Sequence, residues 1–278
     1  LSINATGNLT VNNQNIAYKT LNLSGSSVDV ESSTLSGNLI INTAGNIIAK
    51  SNKINGYFDA TSTNGTIEIR NNNGYINGDT TLLAKGGIDV ISTLIKNGNL
   101  KATSTNDKVS VQSVTVNGDI TTSSQNYTTF SNVQTNNLTA NSGKNISMVY
   151  FNSPTSIICK GNVNLTAATN IQMDNTYTSG NLIAKTAQDI ITNGGSVSGT
   201  TSYNANNITS NGTVYNGNIG LNSIGNATLS SSKDLNFTTP IVGGNLSATT
   251  SGNVNLTNGT ITGSSSLSAA NATSTGTN

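Results

Sequence analysis

The stretch GNLIINTAGNIIAKSNKIN, from Gly37, returns 143 residues later as GNLIAKTAQDIITNGGSVS, from Gly180. Stacking the chain on its glycines shows that the two are members of a series. Units begin at Gly37, Gly56, Gly78, Gly98, Gly118, Asn137, Gly161, Gly180, Gly199, Gly225, Gly244 and Gly263. The stretches 1–17 and 18–36 fit the same frame, which gives about fourteen units of roughly 20 residues, a solenoid period. A chain built this way cannot bury each unit's few apolar residues within that unit. Stacked neighbours must supply the core.

The frame predicts the shape of one coil. Apolar residues sit third and fifth, as Leu39 and Ile41, Leu100 and Ala102, or Leu246 and Ala248. A turn residue follows near the tenth column: Asn46, Gly65, Asn170, Asp189, Asp234. A second alternating pair comes next, such as Ile47 and Ala49 or Leu235 and Phe237, then a closing apolar residue, such as Ile54 or Val197. Spacing by two is strand periodicity with one buried face. Asn, Asp and Gly at the corners tolerate left-handed backbone. The expectation is an all-β, right-handed parallel β-helix (β-solenoid) of about 14 coils. It is read as a single domain over 1–278, the handedness following from the crossover rule for parallel strands. Asn recurs second in the unit, at Asn38, Asn99, Asn162, Asn181, Asn226 and Asn245. Aligned from coil to coil, these side chains can form a hydrogen-bonded ladder.

Composition narrows the function. Only 8% of residues are charged and the net charge is +1, which argues against nucleic acid, whose partners need a basic surface. No apolar run reaches the length of a membrane span. Histidine is absent, and Cys159 is the one cysteine, which removes the commonest metal ligand and general base. No cofactor or metal site is expected. Leu1 already falls within repeat sequence, so the chain reads as part of something longer.

Polysaccharide-cleaving β-helices make carboxylates the next test. Glycosidic cleavage needs two of them about 5 to 9.5 Å apart. Asp79 and Asp119 share the second column two coils apart, about 9.6 Å by coil rise, and Asp189 and Asp234 share the tenth. Both pairs read as corner residues standing in for Asn, and the other acids are scattered along the chain. GGID at Gly86–Asp89 only faintly matches a calcium-binding β-roll. The TST rows at Thr61–Thr63 and Thr103–Thr105 are interrupted by Leu83, which makes a poor ice-binding face. Asn-x-Ser/Thr sequons, among them Asn8, Asn137, Asn164 and Asn255, occur near the rate this composition gives by chance. Cys159 has no base beside it in sequence and reads as a small core residue. Exposed tyrosines such as Tyr57, Tyr75 and Tyr150 could stack on sugars.

Three units run long: 56–77 through Asn71–Gly74, 137–160 through residues around Met148–Ile157, and 199–224 through a polar excess. Insertions in a solenoid are expected to emerge as surface loops, where function concentrates. The candidate binding residues are therefore Tyr150, Phe151 and Asn152 on one corner, and Asn71, Asn72 and Asn73 on another.

The frame GNLxAxxxxNIxLxxxxIx, best matched in the units at Gly37, Gly98, Gly161, Gly180 and Gly244, resembles the filamentous haemagglutinin repeats of bacterial two-partner-secretion exoproteins. The resemblance implies a β-helical shaft on a bacterial surface or secreted from it. Its function would be adhesive and structural, with a host-cell or bacterial surface glycan or protein as receptor and an outer-membrane secretion partner. The family's amino-terminal Asn-Pro-Asn motif is missing, and the prolines are only Pro154 and Pro240. The resemblance brings no catalytic residue with it. The other readings are a polysaccharide-degrading β-helix, or a filament or surface-layer subunit that associates end to end.

Overall fold

The computed structural model describes residues 1–149 and 156–278. Among these the chain is all β. Its parallel strands stack as a β-solenoid of about 14 turns with a spacing of about 19 residues. The contacts divide the chain into two compact units, Leu1–Asn141 and Ser142–Asn278.

In the first unit each coil lays one strand on a first sheet and a second strand on another. Thr20–Gly25, Asn38–Thr43, Phe58–Ser62, Thr80–Ala84 and Leu100–Ser104 pair in succession on the first sheet. Val28–Glu31, Ile47–Lys50, Ile67–Arg70 and Ile88–Ile91 do so on the second. A two-residue strand such as Lys53–Ile54 or Tyr75–Ile76 closes the coil. The alternating pairs point inward and form columns: Leu39, Phe58, Thr80 and Leu100 on one side, Ile47, Ile67, Ile88 and Val109 facing them, all buried. Each Leu or Ile so buried contributes about 1.5–3 kcal/mol against exposure, and only the neighbouring coils provide that burial.

The corners work differently from the expectation. The left-handed residue follows the second strand's pair rather than the tenth column, and it is serine or asparagine: Ser32, Ser51, Ser92 and Ser113 have φ of 51°, 54°, 47° and 54°, with Asn13 and Asn132 in the first unit and Asn175 in the second also left-handed. Asn46, Asn170, Asp189 and Asp234 in the tenth column are not left-handed. Those residues act through their side-chain oxygens, which accept from the next coil.

In the second unit the repeat frame changes sheets. Val163–Ala167, Leu182–Thr186 and Thr201–Ala205 run along the first sheet. Ile171–Asp174, Asp189–Asn193 and Asn207–Asn211 run along the second. The surplus of the 199–224 unit is an extra strand, Ile219–Ser223, which pairs with Thr201–Ala205 and buries Ile219 and Leu221. It is not a loop. One added strand advances the phase by part of a turn. Ala227 and Leu229, which the frame aligns with Leu182 and Ala184, therefore stack on Ile208 and Ser210 of the second sheet, and Leu246 and Ala248 stack on them in turn. Leu235–Thr238 and Asn253–Thr257 move to the first sheet. The left-handed corner travels with the frame, to Thr239 and Asn258.

Candidate functional site

The ladder explains most of the polar residues that the frame repeats. Asn162 Oδ1 accepts from the backbone N–H of Asn181 at 2.8 Å, and Asn181 Oδ1 from that of Thr200 at 2.8 Å. At the other corner of the same unit the series runs from Asn145 through Asn170 and Asp189 to Asn207, Asn226 and Asn245. Most rungs join a side-chain oxygen to a backbone N–H rather than amide to amide. Where a glycine precedes a ladder residue, it has a steric reason. A Cβ at Gly225 or Gly244 would collide with Oδ1 of Asn207 or Asn226 one coil back.

The candidate carboxylates belong to this scaffold. Asp79 Oδ1 accepts from both the backbone and the amide nitrogen of Asn99, at 2.8 and 3.1 Å. Asp119 Oδ1 does the same for Asn137, at 3.1 and 2.9 Å. An acceptor oxygen is all a rung requires, so Asp substitutes for Asn. Asp189 and Asp234 do not share a column: Asp189 opens a strand of the second sheet, while Asp234 precedes Leu235–Thr238 on the first.

Four of the remaining acids of the first unit, scattered in sequence, are gathered by the fold. Asp29, Ile48, Glu68 and Asp89 form one outward column of the second sheet, with Glu31, Lys50, Arg70 and Ile91 beside it. Arg70 pairs with Glu68 at 3.4 Å and Lys108 with Asp89 at 3.0 Å. Burial, with Glu31 and Glu68 adding repulsion against the attraction of Lys50, raises the pKa of Asp29 above the usual carboxylate value. No group of three or more His, Cys, Asp or Glu side chains among the described residues is placed to hold a metal ion.

Of the candidate loop residues, Tyr150, Phe151 and Asn152 lie outside the described residues. Asn71 is buried and is not presented to solvent. Its Oδ1 accepts from the backbone of Asn52 at 2.9 Å, while Asn52 Oδ1 accepts from Ser33 at 3.0 Å, so it is the end of an internal ladder. Asn72 and Asn73 are exposed in a turn closed by Gly74 N–H on Asn71 O. Tyr75 is engaged from two sides. Its hydroxyl donates to Asn55 at 2.7 Å, and Lys96 lies 3.6 Å over its ring. Thr61, Leu83, Thr103 and Ser123 form one outward column, as the interrupted threonine row required. Cys159 is buried and its thiol is pushed up to about 12 by desolvation.

Two features escaped the sequence reading. One is a hydroxyl cluster inside the second unit. Tyr203 and Tyr215, both buried, meet oxygen to oxygen at 3.0 Å, with Ser210 at 2.7 Å from Tyr215 and Thr192 between Ser210 and Thr213. Tyr203 stands where Ala184 and Leu221 stand in the adjacent coils. The other is a groove of about 420 Å³ where the closing-strand stack ends at Tyr215, lined by Asn216, Lys233, Asp234, Asn236 and Ser251. A second groove, of about 550 Å³, lies beside Asp79, Lys96 and Asn99 in the first unit.

Comparison of the chain with protein-family profiles, with curated proteins and with solved structures finds no match.

Proposed function

We propose that this chain is the structural and adhesive part of a bacterial surface or secreted adhesin, of the filamentous haemagglutinin type its repeats resemble. The observation that carries the reading is the use of the repeated polar residues. Asn and Asp at the corners are spent holding the next coil, as in Asn162–Asn181–Thr200. The outward positions between them are mostly neutral hydrogen-bonding groups: Asn164, Ser202, Asn204 and Asn222 in the second unit. Such a scaffold offers many equivalent polar faces, and where it gathers acids, at Asp29, Glu31, Glu68 and Asp89, Arg70 and Lys108 pair with two of them. Catalysis on polysaccharide would need a convergent carboxylate pair; Asp79 and Asp119 each commit one oxygen to the ladder, and Asp189 and Asp234 stand on different sheets. The low charge and single cysteine suit export and folding outside the cell, each coil templating the next. The receptor would be a glycan or protein on host or neighbouring bacterial cells.

The test is attachment of the purified chain to host and bacterial cells and to a glycan panel, beside a variant lacking residues 149–155. Attachment by the wild type is expected. If deletion abolishes it, the receptor site includes those residues; if it survives, the site lies elsewhere on the chain. Attachment to no cell and no glycan, by a chain that melts cooperatively, would overturn the adhesive reading.

A further inference from the structure

We infer that the groove at the phase change of the second unit is a binding subsite for a neutral sugar, an inference that rests on the adhesive reading and gives it a place. The groove exists because one strand was added. The closing strands Thr176–Thr178, Ser196–Val197 and Val214–Tyr215 stack on one another, and the stack then ends because the next coil has been carried round by Ile219–Ser223. The step left behind is an open groove of about 420 Å³, within the range of small-ligand sites, ~300–1,000 Å³. Most such sites are apolar, and this one is not. Tyr215 is buried by its own hydroxyl contacts and offers no ring face to solvent. The polar wall consists of two amides, two hydroxyls, an ammonium and a carboxylate: Asn216, Asn236, Ser232, Ser251, Lys233 and Asp234.

The two charges are available. Lys233 Nζ donates to Asn216 Oδ1 at 3.2 Å and forms no ion pair among the described residues. Asp234 Oδ1 accepts the Asn253 backbone N–H at 2.7 Å, and its other oxygen makes no hydrogen bond among them. The groove beside Asp79 differs in its cation, because Lys96 sits over the Tyr75 ring, although Asp79, like Asp234, commits only Oδ1 to the ladder. A ligand that fits the Lys233–Asp234 groove must present donors and acceptors on every side and carry no net charge. Vicinal hydroxyls do this, donating to the carboxylate while accepting from the ammonium, and charged partners strengthen both bonds. An acidic sugar would set its carboxylate against Asp234. Without an aromatic platform, affinity for a single sugar is weak, with a dissociation constant on the order of 1 mM.

The experiment is saturation-transfer NMR and titration of the whole chain with neutral oligosaccharides, beside sialic- and uronic-acid-terminated ones. Three variants are compared with it: Lys233→Ala, Asp234→Asn and Asp79→Asn. Asp234→Asn keeps the acceptor for Asn253 and removes only the charge, so its melting temperature should match the wild type. The expected result is binding of neutral sugars in preference to acidic ones, at least tenfold weaker in Lys233→Ala and Asp234→Asn and unchanged in Asp79→Asn. Equal binding by all variants, preference for acidic sugars, or absence of binding would overturn the subsite. Cell attachment unaffected by Asp234→Asn would remove the subsite and leave the adhesive reading standing. Loss of all attachment in the wild type removes both.

Discussion

An asparagine at a coil corner offers one strong acceptor at the end of a short side chain, held at the height of the next coil's backbone. That satisfies an N–H which the strand ladder leaves over at the bend; inside the core, where water cannot replace a missing partner, an unpaired group costs about 1–3 kcal/mol. Some inward hydroxyls lack this service. Thr201 lies in the core between Leu182 and Ile219, and its Oγ1 is buried without a partner. Thr201→Val removes the unsatisfied group with little change of shape and should stabilise the chain by about 1 kcal/mol, read as a higher urea midpoint. A lower midpoint would mean the hydroxyl is bonded. Asp29 gives a pH-dependent prediction. Its pKa is raised by burial and by Glu31 and Glu68, so the folded chain holds the proton more tightly than the unfolded chain. The resulting penalty is absent below the ordinary value of 3.8 and grows as pH rises from there through the raised value. Asp29→Asn should therefore melt above wild type at pH 7 and together with it at pH 3. The reverse order in calorimetry would refute the assignment.

At the scale of the strand, period two decides which residues are core: pairs such as Leu39 and Ile41 or Leu246 and Ala248 are buried in both units, while Ser265 and Leu267 of the last coil are not. The frame does not say which sheet receives them. The surplus in 199–224 looks like a polar loop because Gly217, Asn218, Gly220 and Asn222 dominate it, yet Ile219 and Leu221 alternate there as strand residues do. That alternation was the available signal, and the glycines around it hid it. Leu182→Asp and Ile219→Asp should each cost several kcal/mol, as a charge placed in an apolar core does, whereas Lys185→Asp on the outward face should cost less than about 0.5 kcal/mol. Thermal melts that put Ile219→Asp with Lys185→Asp would return the segment to the surface. The expected loop at Asn71 failed for a related reason. An inserted residue whose amide can extend an internal ladder is drawn inward, and only Asn72 and Asn73 are left outside.

At the scale of the whole molecule, a core made between coils gives no coil stability alone, and each unit opens as its neighbours open. Cys159 reports on this in the second unit. Buried, with its thiol held protonated up to about pH 12, it should resist alkylation by iodoacetamide at pH 8 in the native chain. In urea it should react at the rate of unfolding of its own coils. Rapid labelling without urea would show that the coil opens locally. The sequence by itself determined the repeat, the inward columns and the parallel stacking, because a 20-residue unit with two alternating pairs has no other way to bury them. It also determined that corner amides recur at heights where they can bond from coil to coil. Only the tertiary structure decided where the frame changes sheets, which polar corners are internal, and that acids far apart in sequence share one face. Those outcomes depend on how many strands separate two residues around the coil, and a one-strand change in that count moves every later residue to a different sheet while leaving the repeat unaltered.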